Sequence, residues 1–165
     1  METRPISDRA KGALFNILSR RVPGSRVLDL FAGTGGIGIE ALSRGAAHAT
    51  FVDLNRHATE LIQKNLAKAH LALQSTVVRG DALAYVKKAT TAFDLIFVAP
   101  PQWKLLWQTS LEALDRHIQM LAPDGVVVLQ CDPKEYRPLP LAALQPTDQR
   151  KYGNVMLCFF RGAAA

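Results

Sequence analysis

Cysteine is nearly absent from this chain: Cys131 and Cys158 are the only two among 165 residues, and no C-x-x-C spacing occurs. That excludes a zinc knuckle and a disulfide framework, and both residues read as ordinary buried thiols. Long apolar runs are missing too, and Met1-Glu2-Thr3-Arg4-Pro5 lacks the apolar core of a signal peptide. A soluble, cytoplasmic protein that makes no membrane contact is the expectation. Acid is scarce in residues 1–26, where Glu2 and Asp8 face Arg4, Arg9, Lys11, Arg20, Arg21 and Arg26. With a formal charge of +6, this imbalance points to a polyanionic partner or to a solvated basic surface. Internal repeats, linkers and low-complexity segments are also lacking, so residues 1–165 are expected to form a single domain, and a monomer.

What the chain does have is a glycine-rich turn between an apolar strand and a helix, Val27-Leu28-Asp29-Leu30-Phe31-Ala32-Gly33-Thr34-Gly35-Gly36-Ile37-Gly38. Glycines let a ligand approach backbone N–H groups at the positive end of a helix, so a nucleotide-like cofactor is expected there. Gly33, Gly35 and Gly38 fit the G-x-G-x-x-G spacing of dinucleotide sites. Asp29 argues otherwise. An ionised carboxylate before the loop repels a pyrophosphate and attracts the ammonium and sulfonium of S-adenosylmethionine. The competing role for Asp29 and the glycines is turn capping and close strand-helix packing.

Periodicity places a basic helix over about 7–21, N-capped by Ser7, and a sheet over about 26–161. Further strands are read at Ala49–Asp53, Thr76–Arg79, Phe93–Val98 and, after a Pro123-Asp124-Gly125 turn, Val126–Gln130. Helices are read between them, the last running from about Lys104 to Met120. At the tail, Arg150-Lys151-Tyr152 and Val155–Phe160 flank Gly153-Asn154 with no room for a crossover helix, so these strands must be antiparallel. The fold class is therefore α/β: a doubly wound, mostly parallel seven-stranded sheet, Rossmann-like, closed by a C-terminal antiparallel hairpin. That arrangement is the S-adenosylmethionine-dependent methyltransferase fold and argues against a dinucleotide-dependent oxidoreductase.

Ligands of open α/β sheets lie beyond the carboxyl ends of the strands. Asp53 ends the second strand, where it suits a ribose hydroxyl pair or the N-cap of the following helix. Asp81 ends the third, where it suits an adenine amino group, with the Ala82 N–H reading the ring, or again a helix cap. The fourth strand runs into Ala99-Pro100-Pro101-Gln102-Trp103. Paired prolines hold the backbone extended, remove N–H donors and leave carbonyls to accept from an amino group. Trp103, or Trp107 if the loop curls back, can stack on a base; the alternative is that the tryptophans pack in the core.

The opening Arg4-Pro5-Ile6-Ser7-Asp8-Arg9-Ala10-Lys11-Gly12-Ala13-Leu14-Phe15-Asn16, the loop Leu28–Gly35 and Glu40-Ala41-Leu42-Ser43-Arg44-Gly45-Ala46 resemble those of RsmD-type methyltransferases, and the similarity runs nearly to the end of the chain. The resemblance implies S-adenosylmethionine as cofactor, and as substrate the 2-amino group of a guanine in small-subunit ribosomal RNA or an assembly intermediate. It places Asp29, Phe31, Ala32, Gly33, Thr34, Gly35, Asp53, Leu54, Asp81, Ala82 and Ala99 on the cofactor. Pro100, Pro101, Gln102 and Trp103 fall at the reacting base, and Arg4, Arg9 and Lys11 on RNA. The family pattern at the fourth strand end is Asp or Asn, Pro, Pro, then Tyr or Phe; Ala99 and Gln102 stand at its two variable positions. A relative that holds cofactor and RNA without chemistry is the alternative that Ala99 raises. Family members carry a basic strand before the Arg-Pro motif, so a chain starting at the motif is expected to be a shortened form.

Overall fold

Among the described residues, strand-helix alternation is realised as seven strands in the order β3-β2-β1-β4-β5-β7-β6. The structure is a computed structural model and describes residues 6–102 and 104–163. The expectations resting on Arg4 and Trp103 lie outside the described residues. The strands are β1 (Arg26–Leu30), β2 (His48–Asp53), β3 (Ser75–Arg79), β4 (Phe93–Val98), β5 (Leu121–Cys131), β6 (Leu144–Tyr152) and β7 (Val155–Gly162). The helices are α1 (Asp8–Leu18), α2 (Gly36–Ser43), α3 (Arg56–Lys68), α4 (Ala82–Lys88) and α5 (Leu106–Arg116). The strands β1 to β5 pair in parallel, while β7 runs antiparallel to both β5 and β6.

Burial on both faces explains why β1 and β4 read as near-continuous apolar runs. Leu95 and Phe97 of β4 pack with Leu14 and Phe15 of α1, Leu42 of α2 and Ile62 of α3. Ile96 and Val98 pack on the opposite face with Val86 of α4 and Leu111 of α5. Trp107 belongs to this second layer, 3% exposed, with its ring 5.3 Å from that of Tyr136. It is therefore a core side chain and not a stacking plane for a base, because α5 turns it inward onto the sheet.

Two stretches differ from the sequence reading. Pro123-Asp124-Gly125 does not precede β5 but bulges within it: Phe93 pairs with Leu121, and Leu95 already with Val126. Upstream, β6 is three times longer than Arg150-Lys151-Tyr152 suggests. It is an edge strand exposed along most of its length, so no alternation marks it. Pro146 sits at a register shift, and Asp148, Arg150 and Lys151 charge the edge, which discourages pairing with another chain. No helix among the described residues is long and apolar enough to cross a membrane. Both cysteines are buried, and contact with Cys158 together with burial pushes the Cys131 thiol up.

Candidate active site

Strand ends converge on a cavity of about 840 Å³ bordered by β1 to β5 and roofed in part by Ile6 and Lys11. The loop between β1 and α2 forms one wall, and its shape follows from its residues. Gly33 and Gly35 have φ of +59° and +82°, which suits residues without a Cβ, and Phe31 takes φ +60° despite its side chain. A Cβ added at Gly33 would meet nothing within 4 Å, so its backbone lies open on the cavity. Gly38 is different: a Cβ there would run into the Phe51 ring of β2. The third glycine of the spacing thus serves helix-strand packing, while the first leaves room for a ligand.

Each acid is anchored by backbone N–H groups. Gly33 N and Asn55 N donate to the two carboxylate oxygens of Asp53 at 2.9 and 2.8 Å, tying the glycine loop to the end of β2. The N-cap of α3 is Asn55, which accepts from Ala58 N, so Asp53 is released from that role. Asp81 does cap α4, accepting from Ala84 N at 2.9 Å, and also lines the cavity. Asp29 is 3% exposed and accepts from Gly38 N at 3.2 Å. Burial pushes its pKa up to about 8, against the Gly38 hydrogen bond, and the nearby Asp53 raises it further. In the protein without ligand Asp29 is thus largely protonated near neutrality, whereas the sequence reading has it ionised.

Directly after β4 the chain carries neutral groups, and Lys104 is the first charged residue past them on the cavity. Ala99 and Pro101 line the cavity, as does Gln130 at the end of β5. Pro100 and Gln102 instead border a small recess shared with Gln130, Cys131 and Val155.

The family model described as Conserved hypothetical protein 95 matches residues 1–161. YlbH of Bacillus subtilis, whose name gives rRNA methyltransferase as a provisional assignment, is 38% identical over 162 residues, covering 96% of this chain and 88% of its own. Ribosomal RNA small subunit methyltransferase D of Escherichia coli is 33% identical over 129 residues, 78% of this chain and 64% of its own length. The structure of Escherichia coli yhhF, provisionally named a methyltransferase, superposes with a TM-score of 0.89 at 28% identity, covering 98% of this chain and 89% of that one. The chain belongs to this family, that of the RsmD-type methyltransferases.

In this RsmD-type chain the cavity gathers Asp29, Phe31, Ala32, Gly33, Thr34, Asp53, Leu54, Asp81, Ala82 and Ala99. Gly35 lies behind the loop, against Ile62, as the N-cap of α2. Arg9 is exposed on α1, whereas Lys11 lines the cavity with its Nζ 3.9 Å from Glu40. Asn55, His57, Leu61, Lys104 and Gln130 also line it and were not singled out from sequence. Gln130 had a readable signal, since it follows the buried run Val126–Leu129 and closes a fifth strand end.

Proposed function

We propose that this protein transfers a methyl group from S-adenosylmethionine to the exocyclic 2-amino group of a guanine in small-subunit ribosomal RNA. The observation that carries this reading is the convergence of Asp29, Asp53 and Asp81, from three successive strand ends, on one cavity whose opposite side is Ala99 and Pro101.

The residues present fit the cofactor. The volume of about 840 Å³ lies in the range of small-molecule sites, roughly 300–1,000 Å³. Each carboxylate oxygen of Asp53 receives one backbone N–H and keeps capacity to accept from a ribose hydroxyl. Leu54, 68% exposed, and Ala82 offer apolar surface to a purine ring, and Asp81 an acceptor. Asp29, buried beneath the loop at the cavity wall, is placed for a cationic amino-acid end, whose arrival favours the ionised form of its carboxyl. When bound, the cofactor supplies an electrophilic methyl carbon.

The protein's own part is positioning. An exocyclic amine is a weak nucleophile until acceptors hold its protons and aim its lone pair. Pro100 and Pro101 contribute no N–H, so at these two positions the backbone presents carbonyl acceptors only. Arg9 on the exposed side of α1 is placed for phosphate contact.

Purified protein, labelled cofactor and small-subunit rRNA, bare and assembled with its proteins, provide the test. N2-methylguanine detected by nucleoside mass spectrometry is expected, and no incorporation into either substrate overturns the proposal. Ala99 favours a second reading, a relative that binds without chemistry. Under that reading the native chain is inert and Ala99→Asp produces a large gain in transfer.

A further inference from the structure

The side of the cavity where the target base must lie lacks an acid, but it is not without a polar side chain. Val98 of β4 pairs with Leu129 of β5, so Ala99 and Gln130 are the next residues along two adjacent parallel strands, about 4.8 Å apart. Phe97 and Val128 pack into the layer beneath α1. Two residues further on, Ala99 and Gln130 project to that same face by strand alternation, and both line the cavity. Gln130 also borders the recess of Pro100 and Gln102, which puts it between the proline turn and the cavity.

We infer that Gln130 is a catalytic residue of this protein, its side-chain carbonyl accepting a hydrogen bond from the target amino group in place of an acid at position 99. The inference rests on the methyltransferase reading above. A carboxamide one methylene longer than an aspartate reaches across from the neighbouring strand toward the space that the Ala99 methyl leaves open. It brings two complementary groups: the oxygen accepts from the amino N–H, and the NH₂ donates to an adjacent ring nitrogen. Guanine, adenine and cytosine all present an amino group beside such a nitrogen, and uracil does not. A neutral acceptor also leaves the site free of a second negative charge near the phosphates of the substrate. The methyl carbon forms its bond to the base nitrogen as its bond to sulfur breaks. The nitrogen then sheds its surplus proton to solvent, and Gln130 orients without taking it up.

Four proteins decide the matter: native, Gln130→Ala, Ala99→Asp/Gln130→Ala and Ala99→Asp. Each is assayed for methyl transfer to small-subunit rRNA, for cofactor affinity by calorimetry and for melting temperature. The inference expects Gln130→Ala to lose about 100-fold in kcat, in line with removal of one transition-state hydrogen bond. Cofactor Kd and melting should stay near native values, and Ala99→Asp should restore most of the loss in the double variant. Transfer by Gln130→Ala within threefold of native overturns it, as does a loss matched by an equal loss of cofactor affinity, or a failure of Ala99→Asp to rescue. A native protein that binds cofactor but transfers nothing to either RNA substrate overturns the functional reading instead, a separate result because it does not involve the variants.

Discussion

The ends of β1, β2 and β3 differ in kind from the ends of β4 and β5, although all five border one cavity. On the first side every strand ends in or beside a carboxylate, and each is already held by backbone N–H groups: Asp29 by Gly38, Asp53 by Gly33 and Asn55, Asp81 by Ala84. On the second side Ala99, Pro101 and Gln130 are neutral, and Lys104 adds a positive charge, so no carboxylate stands there among the described residues. A grip on a charged, hydroxyl-rich cofactor calls for fixed acceptors that need no rearrangement on binding, and backbone anchoring provides them. Presenting an uncharged amine for attack calls for weaker acceptors in defined directions, which a proline-stiffened carbonyl and a carboxamide supply. Under the proposed function, the first side holds the cofactor and the second presents the amine.

The largest effect expected from breaking that contrast comes at Asp53. Alanine there removes the tie between the glycine loop and β2 together with both ribose acceptors; hydrogen bonds to charged groups contribute about 1.5–3 kcal/mol each. Cofactor Kd measured by calorimetry should rise about 100-fold or more, while Pro101→Ala, on the other side, should leave it within threefold. Equal effects at both positions would dissolve the division.

Gly38 probes the scaffold beneath the first side. Gly38→Ala drives a methyl into the Phe51 ring, and overpacking of this kind costs about 1–3 kcal/mol, or a melting temperature lower by about 4–10 °C for a chain of this size. Gly33→Ala meets no such obstacle but must hold φ at +59°, so it should melt closer to native while weakening the cofactor. A reversed order would place the packing constraint at the wrong glycine.

Asp29 sharpens the comparison through pH. Burial holds its folded pKa at about 8, above the ordinary value of 3.8, so between those limits the folded protein keeps a proton that the unfolded chain has lost. By linkage, stability therefore falls as pH rises from about 4 to about 8 and levels off above. Asp29→Asn keeps an acceptor for Gly38 N and loses the ionisation, so this part of the melting-temperature slope should vanish. If a cationic amino-acid end settles beside Asp29, binding ionises it and releases a proton below pH 8. Calorimetry in buffers of different ionisation enthalpy measures that release, and its absence would remove Asp29 from the cofactor's charged end.

Much of this contrast was legible in the sequence, and the part that was not has definite causes. The parallel core announced itself because β1 and β4 are buried on both faces, and Asp29 and Asp53 because they follow apolar residues directly at their strand ends. The edge strand β6 stayed hidden because a strand exposed along most of its length has no reason to alternate. Asp29 misled on its charge, since desolvation depends on α2 covering it, which no local pattern records. Trp107 reads as a base platform from its place after the proline turn, but α5 turns it against Tyr136 in the core. Gln130 bears no charge, so its position after the apolar run Val126–Leu129 is its one mark in the sequence.

Arg9 and Lys11, two positions apart on α1, give the smallest and most local test. Both suggested RNA contact, yet Arg9 is exposed while Lys11 lies at the cavity roof, 3.9 Å from Glu40. A phosphate contact contributes through counterion release, so Arg9→Ala should reduce the slope of log affinity for rRNA against log salt by about 1. Lys11→Ala should leave that slope unchanged and weaken the cofactor a few-fold, because a half-buried ammonium at the roof acts on what lies in the cavity before it acts on RNA. Filter binding of small-subunit rRNA across a salt series, alongside cofactor calorimetry, separates the two. Slopes that fall equally for both variants would move Lys11 to the RNA surface and leave the cofactor side to its acids.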